Sequence, residues 1–236
     1  PLLSGDATRI LTEDNAGGSS YISESLSLEV LHRAFGARLG RAEMGLEYWP
    51  ANGAITDFSV EIDGEEVPGL DGAAGDFFRG LRASGVVESR TPRPTYAVKQ
   101  PIYVREGSAS IVALPGSGKL TIEYHLDYPA FQNSGNGNSN SVPGAKQIVG
   151  FEMSAENFER DIAPARTFVF QHEVEALRAA GLGKGANPQN TLVVGPNGPQ
   201  ENTLHWDDEL ARHKILDLIG DISNAGVDLD AHIIAT

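Results

Sequence analysis

The sequence predicts an α+β fold, in which strands and helices follow one another without a strict alternation. Apolar and polar side chains alternate over residues 58–63 and 119–128, as they do in half-buried strands. Residues 207–221 instead carry apolar side chains at helical spacing. Apolar residues make up 40% of the 236 residues, which is enough apolar surface for a folded core.

Before residue 94 the pattern predicts three strands and two helices. Gly85 follows the second helix at a position where glycine often closes helices. Two prolines and two arginines then interrupt the apolar pattern at residues 90–94, which is typical of a domain boundary. We therefore predict a first domain over residues 1–92 and a second over residues 93–236. The predicted elements are strands at 8–12, 20–23 and 58–63, and helices at 26–39 and 76–83.

After residue 94 the chain returns to strands, and its last predicted helix precedes a final strand. Ser154 is placed to cap a helix that Pro164 ends, and Gly181 stops the next helix. Residues 133–141 contain only Asn, Ser and Gly, so we expect a mobile loop there. The predicted elements are strands at 111–114, 119–128, 148–153 and 191–194, helices at 155–162, 171–180 and 207–221, and a strand beginning at Ala231.

The predicted helix at residues 207–221 carries an unusual row of polar side chains. Three acids open it, where carboxylates suit the positive end of a helix. His213, Asp217 and Asp221 recur every four residues, so their side chains lie on one face. A neutral imidazole and a carboxylate one turn apart can bind the same Zn²⁺ without backbone strain. The same spacing also occurs in ordinary ion pairs worth only about 0.3–0.5 kcal/mol, so the spacing alone leaves both readings open.

Composition limits the classes of partner and site. The chain has no cysteine, so any transition metal must be bound by histidine and carboxylate. Its net charge of −14 argues against nucleic acid and against an anionic membrane surface. No apolar run approaches the roughly 20 residues that would span a bilayer. Because the chain begins with proline and ends where a strand has just begun, we expect a fragment or a trimmed chain.

Four ordered segments, residues 66–74, 165–170, 173–182 and 212–221, carry a specific resemblance. Together they resemble the UDP-3-O-acyl-N-acetylglucosamine deacetylases, the zinc enzymes of lipid A synthesis. The last segment is similar to the metal helix of that family almost letter for letter. The resemblance implies a two-domain α+β sandwich, in which each domain layers a β-sheet against a pair of α-helices and the active site lies between the layers.

The resemblance also implies roles for individual residues. His213 and Asp217 match two ligands of the zinc ion, and Thr167 matches a threonine that stabilises the oxyanion. Asp221 matches an acid that orients a catalytic histidine, which would itself fall just beyond Thr236. Two further matches concern substrate binding: Lys214 corresponds to a basic residue near the charged head group, and Phe168 to the neighbouring aromatic residue.

The expected first-domain metal ligand is replaced. The family has Val-Glu-His-Leu before the strand that corresponds to residues 58–63, and the best match here is Leu-Glu-Tyr-Trp at residues 46–49. Glu47 would then be the general base, and Tyr48 stands in the place of the histidine ligand. A second register, at residues 28–31, also lacks histidine, and His32 lies two positions late on a different helical face.

These residues lead to one main hypothesis and two alternatives. The main hypothesis is a zinc-dependent amide hydrolase that removes acetate from a UDP-linked acylated amino sugar. One alternative is a catalytically inactive relative that keeps the fold and binds ligand, which explains the missing histidine. In the other, His32 or sequence outside this chain completes the site. We expect a cytoplasmic monomer with no nucleic-acid partner and no stable insertion into a membrane.

Overall fold

A computed structural model of the protein describes residues 70–83, 94–128, 146–179, 186–223 and 227–236. Its mixture of two sheets and several helices confirms the predicted α+β class. The predicted elements before residue 70 and the expected loop at residues 133–141 lie outside these ranges, and the division into two domains remains a prediction. None of the helices in these ranges combines the length and apolar character that crossing a bilayer requires.

The main sheet of the described residues is built around its last strand. That strand runs parallel to the fourth strand and antiparallel to the third, and its first residues also pair with the short first strand. The order across the sheet is β2-β3-β9-β4-β5. The strands are β1 (Thr95–Ala97), β2 (Ile102–Glu106), β3 (Ala109–Pro115), β4 (Leu120–Asp127), β5 (Lys146–Glu152) and β9 (Asp228–Ala235).

The longest described helix, α4 (Glu209–Ser223), packs on one face of this sheet against β4 and β5. The predicted alternation along β4 is confirmed, because Ile122 and Leu126 are buried on the face that α4 covers. Leu216 on the helix is fully buried in the same core. Each side chain of this size contributes about 1.5–3 kcal/mol when it leaves water, so this contact fixes the helix relative to the sheet.

A smaller sheet lies near the start of α4. Strands β6 (Phe168–Phe170) and β7 (Leu192–Gly195) run parallel, and β8 (Gly198–Gln200) pairs with β7 in the antiparallel sense. Helix α3 (Gln171–Ala179) follows β6 directly and confirms the helix predicted at residues 171–180. Helix α1 (Gly75–Ala83) also confirms its prediction.

The expectation of one α-helix over residues 155–162 is wrong in its second part. Ser154 caps the first turn as predicted, and its hydroxyl accepts a hydrogen bond from the backbone of Asn157. After α2 (Ala155–Asn157) the chain widens into a π-helical turn, Phe158–Ile162, in which the Ala163 N–H donates to the Phe158 carbonyl. The wider turn places Phe158 and Ile162 in the core, an advantage that helical periodicity alone does not predict.

Candidate functional site

A cavity of about 440 Å³ lies between α4, the ends of β3 and β9, and the segment that leads into β6. One part of its wall is polar and is formed by helix α4 and Thr167, whereas the opposite part is formed by small and apolar side chains. The lining residues are Ala109, Ile111, Tyr124, Thr167, Phe168, His213, Lys214, Asp217, Leu218, Asp221, Ala235 and Thr236. The cavity therefore brings together all the sequence-predicted site residues that lie within the described ranges.

His213 is almost completely buried, with 2% of its surface exposed. Its Nδ1 lies 2.9 Å from the carbonyl oxygen of Ala165. Because a carbonyl oxygen only accepts hydrogen bonds, Nδ1 must be the donor, and in the neutral ring Nε2 then carries a lone pair. This contact settles which nitrogen of His213 is available for chemistry.

The available Nε2 of His213 faces a carboxylate oxygen. It lies 3.2 Å from Oδ1 of Asp217, one helical turn further along α4. A neutral ring would set two lone pairs against each other at this distance. Two states avoid that repulsion: a charged imidazolium ring, or a cation held between the nitrogen and the oxygen.

The spacing of these two atoms fits a shared zinc ion. Bonds of about 2.0–2.2 Å in a tetrahedral site place two ligand atoms about 3.3–3.6 Å apart, and the 3.2 Å between Nε2 of His213 and Oδ1 of Asp217 lies just below the short end of that range. Imidazole and carboxylate are also ligand types that zinc accepts in the absence of cysteine. Within the described ranges no group of three or more such side chains converges, so a third protein ligand would have to come from outside these ranges.

Lys214 forms a hydrogen bond with the other carboxylate oxygen of Asp217. Its Nζ donates to Oδ2 of Asp217 at 2.9 Å and lies 5.3 Å from the centre of the Phe168 ring. Burial lowers the pKa of Lys214, but the attraction and hydrogen bond of Asp217, with smaller contributions from Tyr128 and Tyr124, outweigh it and raise the pKa above its ordinary value of 10.5. The cavity thus contains a permanently charged ammonium group beside the candidate metal ligands.

Thr167 is held by its backbone on both sides. Its N–H donates to the carbonyl of Gly72, and its carbonyl accepts from the N–H of Leu192. Gly72 adopts a positive φ of 76°, and a Cβ there would lie 1.9 Å from the carbonyl oxygen of Asn190, so only glycine fits. Within the described ranges no hydrogen bond uses the Thr167 hydroxyl, which lies in the cavity wall.

The remaining predicted residues contribute to the wall in different ways. Phe168 is half-buried and lies edge-on to both Tyr128 and His213, at ring distances of 6.4 and 6.3 Å. Asp221 is exposed at the mouth of the cavity, one turn beyond Asp217. Glu47 and Tyr48 lie outside the described residues, so their predicted roles stay predictions.

Sequence reasoning missed Tyr124 as a lining residue, because the alternation along β4 predicts only an inward side chain. Its ring borders the cavity, and burial raises its pKa above the ordinary value of 10.0, with the Lys214 charge opposing the rise and Tyr128 and Asp217 adding to it. Tyr124 therefore remains a neutral phenol with a hydrogen-bond donor. Glu209 lies in the first turn of α4 as predicted, but sequence reasoning missed its burial against Arg166.

The same family is found when the chain is compared with known proteins. The family model described as LpxC, UDP-3-O-acyl N-acetylglycosamine deacetylase, matches residues 51–236. A curated UDP-3-O-acyl-N-acetylglucosamine deacetylase of Bdellovibrio bacteriovorus is 36% identical over 76% of this chain and 56% of its own length. The corresponding protein of Thermodesulfovibrio yellowstonii is 33% identical over 76% of this chain and 58% of its own length.

The chain spans somewhat more than half the length of these curated relatives. Its matched range includes every described residue of the candidate site, whereas Glu47 and Tyr48 precede residue 51. The extent of the family match and the level of identity lead to one conclusion: the chain belongs to the UDP-3-O-acyl N-acetylglycosamine deacetylase family.

Proposed function

We propose that the protein is a zinc-dependent deacetylase that removes acetate from a UDP-linked 3-O-acylated N-acetylglucosamine in lipid A biosynthesis. The observation that carries the proposal is the pair of Nε2 of His213 and Oδ1 of Asp217, 3.2 Å apart in the wall of an open cavity. Family membership supports the same reaction, because the curated relatives carry the name of that deacetylase.

His213 and Asp217 are the residues that would hold zinc. Bound there, zinc would supply a Lewis acid for the acetamide carbonyl and would lower the pKa of a coordinated water molecule. Glu47 is the proposed base that takes the proton of the attacking water. The hydroxyl of Thr167 would donate a hydrogen bond to the carbonyl oxygen as it becomes negative, a type of contact worth about 3–4 kcal/mol in a transition state.

Substrate binding is proposed for the rest of the cavity wall. The charged Lys214 ammonium suits the negative phosphates of a UDP group, and the ring of Phe168 would flank the sugar. Asp221 is proposed to orient a catalytic histidine contributed from outside the described residues. Ile111 and Leu218 line the less polar side of the cavity, which suits the acyl chain.

Metal content and acetate release test the proposal together. We expect the purified protein to bind zinc at one equivalent and to release acetate from the acylated UDP-sugar. The variant His213→Ala should lose both zinc and turnover. Stoichiometric zinc in that variant would refute the assignment of His213 as a ligand.

A second candidate function is a catalytically inactive member of the family that binds a sugar nucleotide or an acyl chain. It is favoured by Tyr48, which stands where the resemblance expects a histidine, since catalytic zinc sites normally use three protein ligands. In that case the protein would bind the UDP-sugar without zinc and without releasing acetate. A third ligand from His32 or from sequence outside this chain would restore the first proposal.

The proposed setting is the cytoplasm, and the proposed assembly is a monomer without a nucleic-acid partner. Light scattering coupled to size-exclusion chromatography of the protein measures the mass of the particle directly. A dimer mass at micromolar concentration would contradict the second of these proposals.

A further inference from the structure

The carboxylate of Glu209 is buried and accepts four hydrogen bonds. Its side chain has no exposed surface at all. Oε1 accepts from the backbone N–H and from Nε of Arg166, at 3.1 and 2.9 Å, and Oε2 accepts from Nη2 of Arg166 and from the N–H of His205, at 3.0 and 2.6 Å. A buried carboxylate needs this many donors to offset the loss of water.

One of these four bonds reaches the candidate metal site. The N–H of Arg166 and the carbonyl of Ala165 belong to the same planar peptide group. Glu209 accepts from the N–H of that group, and Nδ1 of His213 donates to its carbonyl oxygen at 2.9 Å. Glu209 and His213 lie four residues apart on α4, so two neighbouring side chains of one helical face hold the two opposite ends of a single peptide group.

A chain of hydrogen bonds therefore runs from the buried carboxylate to the imidazole. A negative charge on the N–H side of an amide polarises it and makes its carbonyl oxygen a stronger acceptor. The stronger acceptor keeps Nδ1 of His213 protonated, so that Nε2 is the nitrogen that would bind a metal. In many metal sites a carboxylate contacts the ligand histidine directly; here a peptide group stands between them.

The guanidinium group of Arg166 fixes the position of this peptide group through further hydrogen bonds. Nη1 donates to Oδ1 of Asn202 at 3.0 Å, and Nη2 donates to the carbonyl of Thr203 at 2.7 Å. The segment before β6 is thus tied to the loop before α4 as well as to the helix. Thr167 follows Arg166 directly, so the same anchor fixes the second predicted catalytic group.

We propose that Glu209 is a positioning residue for His213, acting through the Ala165–Arg166 peptide group and setting both the ring orientation and the nitrogen that carries the proton. This inference rests on the proposed zinc site. It assigns to Glu209 a role in the affinity for zinc that its distance from the cavity does not suggest.

Selective ¹⁵N labelling of histidine tests the proposal on the metal-free protein. Long-range ¹H–¹⁵N spectra distinguish the two neutral tautomers of the ring. In the unmodified protein we expect Nδ1 of His213 to be protonated, either in the neutral ring or in a charged ring that pairs with Asp217; a neutral ring protonated on Nε2 alone would overturn the proposal without any variant being needed.

The variant Glu209→Gln then separates positioning from folding. Its amide keeps the shape of the side chain but cannot accept all four hydrogen bonds. We expect the Nδ1-protonated form of His213 to lose population, and the zinc affinity to fall by about 10–100-fold, measured by competition with a chromogenic chelator. The matched control is Asp208→Asn, which removes the same charge from the preceding residue, where Asp208 pairs with Arg212 on the surface, and should change zinc affinity less than twofold.

A further variant distinguishes the backbone relay from the side-chain ion pair. Arg166→Lys keeps the backbone N–H to Glu209 while removing the guanidinium fork. It should lower the melting temperature yet leave the tautomer of His213 unchanged. If Glu209→Gln is folded by circular dichroism and matches the unmodified protein in both tautomer and zinc affinity, the proposal is wrong. If the unmodified protein binds no zinc but keeps the Nδ1 proton, the proposed zinc function fails and the hydrogen-bond relay stands.

Discussion

Helix α4 carries Glu209 and Asp217 about two turns apart, and each carboxylate lies beside a basic side chain. Glu209 is fully buried and receives four hydrogen bonds from Arg166 and His205. Asp217 lies at the cavity, with Lys214 donating to one oxygen and Nε2 of His213 lying 3.2 Å from the other. The two carboxylates differ in their partners: both oxygens of Glu209 accept hydrogen bonds from backbone and guanidinium N–H groups, whereas one oxygen of Asp217 faces a ring nitrogen across the cavity wall. The first arrangement stabilises the fold, and the second is the one that we propose for zinc.

The largest expected effect is at Asp217. Replacing it by alanine removes one of the two proposed zinc ligands, and we expect zinc binding and acetate release to fall below detection. The free energy of unfolding of the metal-free protein should change by less than about 1 kcal/mol, because the carboxylate is partly exposed. Calorimetric zinc titration and urea unfolding of the same samples measure both. If zinc binds with unchanged affinity, the distinction between the two carboxylates disappears.

Glu209 should behave in the opposite way in a stability measurement. Glu209→Ala leaves the buried guanidinium of Arg166 without its partner, which we expect to destabilise the metal-free protein by about 3–5 kcal/mol. Urea unfolding followed by circular dichroism gives this number. The double variant Arg166→Met/Glu209→Leu should recover most of the loss, because no charge is then left buried. Full stability in the single variant would show that Glu209 is not the structural carboxylate of the pair.

Thr167 sharpens the comparison from the other side of the cavity. Its hydroxyl has no hydrogen-bond partner among the described residues, so Thr167→Val should leave the unfolding free energy almost unchanged. The same change should lower kcat by about 100–1,000-fold if the hydroxyl stabilises the transition state. Thr167→Ser, which retains the hydroxyl, should keep most of the activity. Equal kcat values for the valine variant and the unmodified protein would remove Thr167 from the proposed catalytic groups.

The neutral side chain of Gln147 also forms hydrogen bonds with backbone groups at the start of α4. Gln147 bridges two backbone groups, since its Nε2 donates to the carbonyl of Asp207 at 2.9 Å and its Oε1 accepts from the N–H of Ala211 at 2.7 Å. Gln147→Glu keeps the shape but loses the donor, and we expect a loss of about 1–3 kcal/mol in the free energy of unfolding. The exposed Gln200, changed in the same way, should lose less than about 0.5 kcal/mol. Similar losses at both positions would mean that the burial of the Gln147 hydrogen bonds does not add to the free energy of unfolding.

The sequence predicted the pair of residues on helix α4 better than it predicted the residues that contact this helix from other parts of the chain. His213 and Asp217 could be paired from their spacing because helical periodicity alone places them on one face. Thr167 reaches the same cavity from the segment before β6, and only the family motif identified it. Glu209 was predicted as an acid at the helix start, but its ion pair was missed because its partner, Arg166, lies 43 positions earlier in the chain.

The fold shows the same division between local and distant information. The predicted core strands of the second half and its helices at 171–180 and 207–221 are confirmed to within a few residues, since alternation and caps are local signals, whereas the helix over 155–162 is confirmed only in its first turn. Strand β2 was missed because all five of its side chains are exposed and no alternation marks it. The short strands β1 and β6 exist through pairing with distant partners, and β8 pairs with β7 across a short turn. Strand β9 begins at Asp228 rather than Ala231 because β1 pairs with its first residues.

The smallest expected effect concerns Asp71, a half-buried carboxylate whose burial is less fully compensated than that of Glu209. Burial raises its pKa above the ordinary value of 3.8 and the Asp76 carboxylate adds to the rise, whereas the Ala73 N–H and Arg79 oppose it only partly. The folded state therefore binds the proton more tightly than the unfolded state, and stability falls as the pH rises above that ordinary value.

Asp71→Asn, whose side-chain oxygen can still accept from Ala73, should match the unmodified protein near pH 3 and become relatively more stable as the pH rises. The difference should level off once the folded-state carboxyl is ionised. Urea unfolding at several pH values between about 3 and 7 measures the difference, and Asp76→Asn should reduce the pH dependence of the unmodified protein in part. A constant difference across this range would mean that Asp71 is as well compensated as Glu209 and that burial alone does not distinguish the carboxylates of this protein.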